Sequence, residues 1–282
     1  MDVSTLSRTL ALAADDGITS VCLEIPAMER LVRFGTGLIL AGGASSRMGQ
    51  DKALLNLDGT PLLRRVYDRA AQVCSQVYVM TPRIEQYRSI LPPRSQFLRE
   101  AFESSPQGPL RAFQQALTRL VQGEKIQAGW LLLLSCDLPF LQSSVLEQWV
   151  TQLSLDNKLD INSNRDIKKP ENDRFLPDKA PTQRLDQPLN QALCNRHPSI
   201  WVPQNTQGWW EPLCGFYHQT CLPSLNQFID QGGRSFQTWL NREFQENRVG
   251  VLSIPDPEML FNLNTPTQLD RYYTIVNLRY QS

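Results

Sequence analysis

The 282 residues carry no excess charge, since 28 Lys and Arg balance 28 Asp and Glu. That balance excludes the broad basic field by which proteins gather nucleic acid or an anionic membrane, so any anion must be gripped locally. Long apolar runs are missing as well. Trp130–Leu134, the most apolar stretch, falls far short of the ~20 residues that span a bilayer. The patch Leu10–Ala14 is broken up by Asp15, Asp16, Glu24 and Glu29. No secretory signal, transit peptide or membrane partner is therefore expected, and the cytoplasm is the expected location. Cysteine pairing motifs are absent too: Cys22, Cys74, Cys136, Cys194, Cys214 and Cys221 include no C-x-x-C and no disulfide-framework spacing. Both histidines fall among them, as Cys194-x-x-His197 and Cys214-x-x-x-His218-x-x-Cys221, which leaves zinc conceivable. Zinc sites usually offer tighter pairs, and Cys214 lies in a strand-like segment, so buried free thiols are the expectation. A serine–histidine–acid triad is also lacking, which argues against acyl chemistry.

What is present is an alternation of strand and helix. This length can bury one substantial core, and a single α/β domain is expected over 34–275. Leu38–Leu40, Val77–Met80 and Gln96–Leu98 read as strands, and Leu62–Val73 as an amphipathic helix. Gly108-Pro109 opens a helix to about Leu120, with Leu110, Phe113 and Leu117 on one face. Trp130–Leu134 reads as a central strand, and Ser143/Ser144 cap a helix through about Leu153. Ser199–Pro203, Glu211–Tyr217 and Val249–Ile254 are strand-like, with helices near Cys221–Asp230 and Ser235–Glu246 between them. Thr265, Pro266 and Gln268 make a capping box that opens a last helix. The spacing implies a mostly parallel central sheet with helices on both faces. Residues 1–33 are expected to be a disordered or loosely packed extension, with Met28 an alternative start. The polar stretch at about 155–192 is expected to be a surface insertion or mobile loop.

The most informative segment is Leu38-Ile-Leu-Ala-Gly-Gly-Ala-Ser-Ser-Arg-Met-Gly-Gln-Asp-Lys52. A buried strand that ends in small residues lets backbone N–H groups approach phosphate oxygens, and Arg47 and Lys52 then neutralise the charge. A Walker loop is excluded, because its Gly-Lys-Ser/Thr is missing. A dinucleotide fingerprint fails too, since Gly35-Thr-Gly37 precedes the strand and Leu40 stands where a third glycine belongs.

Leu40-Ala-Gly-Gly-x-Ser-Ser-Arg-Met-Gly-x-Asp-Lys52 resembles the signature of nucleotidyltransferases that activate small phosphorylated molecules, and most closely that of the molybdenum cofactor guanylyltransferases. The resemblance covers roughly Phe34 to Tyr273. It implies a Rossmann-like nucleotidyltransferase domain that moves GMP from GTP to the terminal phosphate of the molybdenum–molybdopterin cofactor, releasing pyrophosphate. GTP and that cofactor would be the ligands, Mg²⁺ the metal, and molybdoenzymes or other cofactor-biosynthesis proteins the possible partners.

The resemblance also assigns residues. Lys52 and Arg47 would face the triphosphate, where a fixed cation lowers the barrier to in-line attack. Leu40, Ala41, Gly42 and Gly43 would hold the nucleotide; Leu-Ala-Gly-Gly goes with guanine, whereas cytidylyl-transferring relatives usually show Leu-Ala-Ala-Gly. Asp137, at the tip of an apolar strand, needs a compensating cation or hydrogen bonds. On the residues alone a cap for the turn before Pro139 explains it equally well; the family's Cys-Asp-x-Pro context implies a Mg²⁺ ligand. Gly108-Pro109-Leu110 resembles the segment that follows a guanine-holding acid, which is Glu100 with one gap and Ala101 without. Asn264, near Asn262, would complete the metal shell or meet the incoming phosphate, or would merely shape the turn before Thr265. Glu211–Tyr217 resembles the strand that lines the acceptor pocket. Met80 stands where many relatives have asparagine, so that contact is lost or passes to Thr81. Two rivals remain: cytidylyl or sugar- and alditol-phosphate transfer, and a non-catalytic protein that binds and delivers the cofactor.

Overall fold

The segment Phe34–Leu40 forms strand β1, buried from Thr36 onward, and it lies at the middle of a seven-stranded sheet. The computed structural model describes residues 34–42, 49–101, 108–126, 129–163 and 198–281; for 155–163, 280 and 281 it describes the backbone alone. The expected extension at 1–33 and most of the expected insertion therefore lie outside the described residues.

In chain order the strands are β2 (Asn56–Leu57), β3 (Thr60–Pro61), β4 (Cys74–Thr81), β5 (Gln96–Arg99), β6 (Trp130–Ser135), β7 (Ile200–Pro203), β8 (Cys214–His218) and β9 (Val249–Leu252). The main sheet runs β5-β4-β1-β6-β8-β7-β9. Its β5, β4, β1 and β6 are parallel, and β8 alone runs against its neighbours β6 and β7. Leu40 pairs with Met80 on one side and Ser135 on the other, so the carboxyl ends of β1, β4 and β6 finish level. In a sheet of this kind ligands gather beyond those ends.

Helices cover both faces because their apolar residues recur on one side. Helix α1 (Leu62–Val73) buries Leu63, Val66, Tyr67, Ala70 and Val73 at helical spacing, and packs with α4 (Ser143–Ser163) on one face. On the other face lie α3 (Gly108–Gln122), α5 (Leu222–Asp230) and α6 (Phe236–Gln245); the short α2 (Ile84–Arg88) precedes α3 in sequence. Ser235 caps α6 by accepting a bond from the Thr238 N–H at 3.3 Å. Leu131–Leu134 of β6 are wholly shielded between the two layers. Two-sided burial explains their uninterrupted apolar run.

Several boundaries differ from the sequence reading. Gly35 and Gly37 lie inside β1 instead of ahead of it, and β1 is correspondingly longer. Helix α4 continues past Leu153 to Ser163, into the stretch read as an insertion. Strand β8 begins at Cys214, so Glu211 stands just before it. The β2–β3 hairpin was not anticipated, although Asp58 (φ 51°) and Gly59 (φ 83°) are the Asp-Gly pair that such a turn prefers. The last helix, α7 (Pro266–Gln281), docks on this hairpin: the Tyr272 hydroxyl donates to Asp58 at 2.9 Å beside Leu57, Leu62, Phe140 and Leu263. Among the described residues no helix is long and apolar enough to cross a membrane.

Candidate active site

Asp137 follows β6 by two residues, and its chain position leaves only 4% of it exposed. A buried carboxylate needs partners on both oxygens. The Ser135 hydroxyl donates to Oδ1, and the Lys52 ammonium donates to Oδ2 at 2.7 Å. Lys52 Nζ also donates to Asn264 Oδ1 at 2.7 Å. Residues far apart in sequence thus supply two oxygens to one cationic point.

Each participant is placed by a local device. Lys52 opens the short helical turn Lys52–Leu54, which Asp51 caps by accepting a bond from the Ala53 N–H at 3.1 Å. Burial works against the Lys52 charge, but Asp137 above all, with Cys136 and Asp51, outweighs it and holds the pKa above the usual lysine value. Asn264 is placed from both sides. The Leu263 N–H donates to the Asp137 carbonyl at 3.0 Å, which ties this segment to the end of β6. Gln268 accepts a bond from the Asn264 N–H at 2.7 Å, while its own N–H donates to Thr265 Oγ1 at 3.3 Å. The expected capping box is therefore shifted: the glutamine grips Asn264 instead of the cap residue Thr265.

The floor of the glycine segment is tied to the neighbouring strands. The Ala41 N–H donates to the Met80 carbonyl at 2.9 Å, and the Cys136 N–H donates to the Leu40 carbonyl at 3.2 Å. Thr81 Oγ1 donates to the Ala41 carbonyl at 3.1 Å, while Met80 is wholly buried in the core. A Cβ at Gly42 would stand 2.0 Å from Glu100 Oε2 and 3.4 Å from Pro82 Cδ. The structure therefore sets Glu100 against Gly42, and glycine is what permits the approach. Burial raises the Glu100 pKa. Gly43 and Arg47 lie outside the described residues.

Glu211 is within the electrostatic reach of Asp137. Burial raises its pKa, the bond from Asn205 Nδ2 at 3.3 Å opposes this, and the Asp137 charge adds to the rise. Asn262 turns to the Leu260 carbonyl at 3.1 Å and takes a local role. The conceivable zinc cluster does not assemble from its described members. Cys214 belongs to one core layer and Cys221 to the other, and His218 Nδ1 bonds with Thr220 Oγ1 at 2.8 Å. Cys194 and His197 lie outside the described residues. Among those described, Cys74, Cys136, Cys214 and Cys221 are free and buried.

Sequence reasoning overlooked Asp51, Arg83 and Tyr87. The Tyr87 hydroxyl donates to Asp51 Oδ2 at 2.7 Å, and Arg83 Nη1 donates to the same oxygen at 3.0 Å. An aspartate directly before a helical turn was a legible capping signal. Nothing in the pattern around Tyr87 pointed to its partner.

This layout is that of a nucleotidyltransferase domain, and the family model for the MobA-like NTP transferase domain matches residues 37–166. The chain is 41% identical to the probable molybdenum cofactor guanylyltransferase of Nostoc sp. strain PCC 7120, over 83% of this chain and 88% of the relative. It is 37% identical to the protein of that description from Synechococcus elongatus, over 82% of this chain and 93% of the relative. Among solved structures, the molybdopterin-guanine dinucleotide biosynthesis protein A of Archaeoglobus fulgidus shares the fold, with a TM-score of 0.52 and 20% identity over 86% of this chain and 98% of that one. The chain belongs to the molybdenum cofactor guanylyltransferase family.

Proposed function

We propose that this protein transfers GMP from GTP to the terminal phosphate of the molybdenum–molybdopterin cofactor. An oxygen of the acceptor phosphate attacks the α-phosphorus of GTP. The bond from that phosphorus to the bridging oxygen breaks, and pyrophosphate leaves with the electron pair. No protein nucleophile is needed, because the acceptor supplies one. The protein's share is positioning and charge stabilisation.

The observation that carries this reading is the meeting of Lys52, Asp137 and Asn264 at the level carboxyl ends of β1 and β6. Asp137 Oδ2 and Asn264 Oδ1 are hard oxygen donors directed at one positive charge, the Lys52 ammonium. That donor set suits Mg²⁺, which typically takes one or two protein oxygens together with substrate phosphates. Asp137 and Asn264 would hold the ion, which supplies charge neutralisation on the phosphates. Lys52, kept cationic by its surroundings, serves the triphosphate, with Arg47 as its proposed companion. Leu40, Ala41 and Gly42 form the floor under the nucleotide, and Gly43 is assigned to the same role by the family signature. Glu100, as a carboxylate beside Gly42, accepts bonds from guanine N1–H and N2–H.

The test is incubation with GTP, Mg²⁺ and the phosphorylated cofactor, with mass detection of the adduct and assay of pyrophosphate. Adduct formation with GTP well ahead of CTP is expected, together with its loss in Asp137→Ala. Preference for CTP would transfer the chemistry to the cytidylyl branch. Cofactor binding without pyrophosphate release would establish the binding-and-delivery alternative.

A further inference from the structure

Both ends of the glycine segment are fastened to one stretch outside the signature. At the near end, Thr81 closes β4; its hydroxyl donates to the Ala41 carbonyl at 3.1 Å and accepts from the Arg83 N–H at 3.0 Å. At the far end, Arg83 and Tyr87 both donate to Asp51 Oδ2, at 3.0 and 2.7 Å. The other Asp51 oxygen caps the turn that carries Lys52. Tyr87 is itself anchored, being 1% exposed and part of the same core layer as Leu63, Leu91 and Cys136.

A single short turn of this type has little stability of its own. Lys52 adds a flexible four-carbon stem, so the place its ammonium can reach depends on where that turn begins. We propose that Arg83 and Tyr87 are positioning residues, which act through Asp51 to hold the turn from which Lys52 meets its partners. The bonds are charge-assisted and reach a core-anchored ring, so they convert a pliable loop end into a fixed mount. This inference rests on the reading that Lys52 serves the triphosphate.

The test compares Tyr87→Phe, which keeps the ring, with Arg83→Met and Arg83→Lys. Turnover and GTP affinity are measured in the native protein and in a Lys52→Met background. Tyr87→Phe should lower turnover about tenfold, the scale of a small misplacement of a catalytic group, with a smaller change in KM. Arg83→Lys should recover part of what Arg83→Met loses. In the Lys52→Met background, Tyr87→Phe should add less than about a twofold loss, because residues that act through one another do not add. An equal loss in both backgrounds would assign Tyr87 a general scaffold role and overturn the proposal. Native turnover in both Tyr87→Phe and Arg83→Met would do the same. If Lys52→Met itself turned over normally, the role of Lys52 and this proposal would fall together, while adduct formation by the native protein would still stand for guanylyl transfer.

Discussion

Asp137 and Glu243 are both buried carboxylates with a basic partner, and their surroundings differ in kind. Glu243 is bound by a fork: Arg248 Nε donates to Oε2 at 2.6 Å and Nη2 to Oε1 at 3.2 Å, with the Ser224 hydroxyl added to Oε1. The two residues stand five apart in sequence, and the Arg248 N–H also donates to the Glu243 carbonyl at 2.9 Å. Such a pair is planar, saturated and locally closed. Asp137 instead meets the point charge of Lys52, which arrives from 85 residues away and is shared with Asn264. An ammonium on a flexible stem can exchange carboxylate for phosphate, and a bidentate guanidinium resists doing so. One pair is closed within its own segment, and the other has the chemistry to be rearranged.

Removing a partner from each pair should separate the two. Glu243→Ala removes the acceptor shared by Arg248 and Ser224; Arg248 keeps Glu246 and partial access to water, so the cost should be about 1–3 kcal/mol of stability. Urea unfolding measures the loss, and GTP affinity at low temperature should be unchanged; a parallel fall in affinity would break the distinction. Lys52→Met should lower turnover by about a hundred- to a thousandfold, the cost of losing one fixed charge that faces the transition state. It should cost stability too, because the Asp137 side chain left without its cation is only 6% exposed.

The glycine floor offers a finer test. Gly42→Ala puts a methyl where Glu100 Oε2 now lies, so the carboxylate must move away. GTP should bind about tenfold more weakly, equivalent to about 1.4 kcal/mol, and CTP should lose less. Calorimetry with both nucleotides decides, and equal losses would detach Glu100 from base selection. The smallest effect concerns pH. Burial raises the Glu100 pKa, so this side chain takes up a proton at a higher pH than a free glutamate. If GTP binding draws on the carboxylate as proposed, affinity should decline on acidification earlier than an ordinary glutamate would allow, and Glu100→Gln should remove that limb. The linkage to stability has the opposite sense. A group with a raised folded-state pKa favours folding below its unfolded value, and that contribution is lost as pH rises through the folded value.

Much of this was legible in the chain, for identifiable reasons. Helix α1 declared itself at its observed limits, Leu62–Val73, because one face is apolar at helical spacing. The Leu38–Lys52 segment stood out because a buried strand that runs into small residues and two cations is an unusual pattern, whereas Cys136-Asp137 was marked by the family resemblance, the residues alone serving a turn equally well. The reversed direction of β8 could not be read, since side-chain pattern reports the faces of a strand and not its direction, which is set by the pairing with β6 and β7. Nor could the extent of α4, whose later residues are polar although the backbone stays helical to Ser163. Glu100 was ambiguous by one position in the sequence, and its approach to Gly42 is a contact between strand ends that no local pattern encodes. The Asp51–Tyr87 bond spans 36 residues between a loop and a short helix, and no periodic signal encodes such a meeting.

The contact between Lys52 and Asn264 joins positions 212 residues apart. Synthesis delivers the signature loop early and the amide late. A nascent polypeptide can thus pair β1 with β4 and β6 well before Asn264 has left the ribosome, yet it lacks one of the three groups that meet there. The three-way contact therefore closes only once residue 264 is present, after every strand of the main sheet has been made.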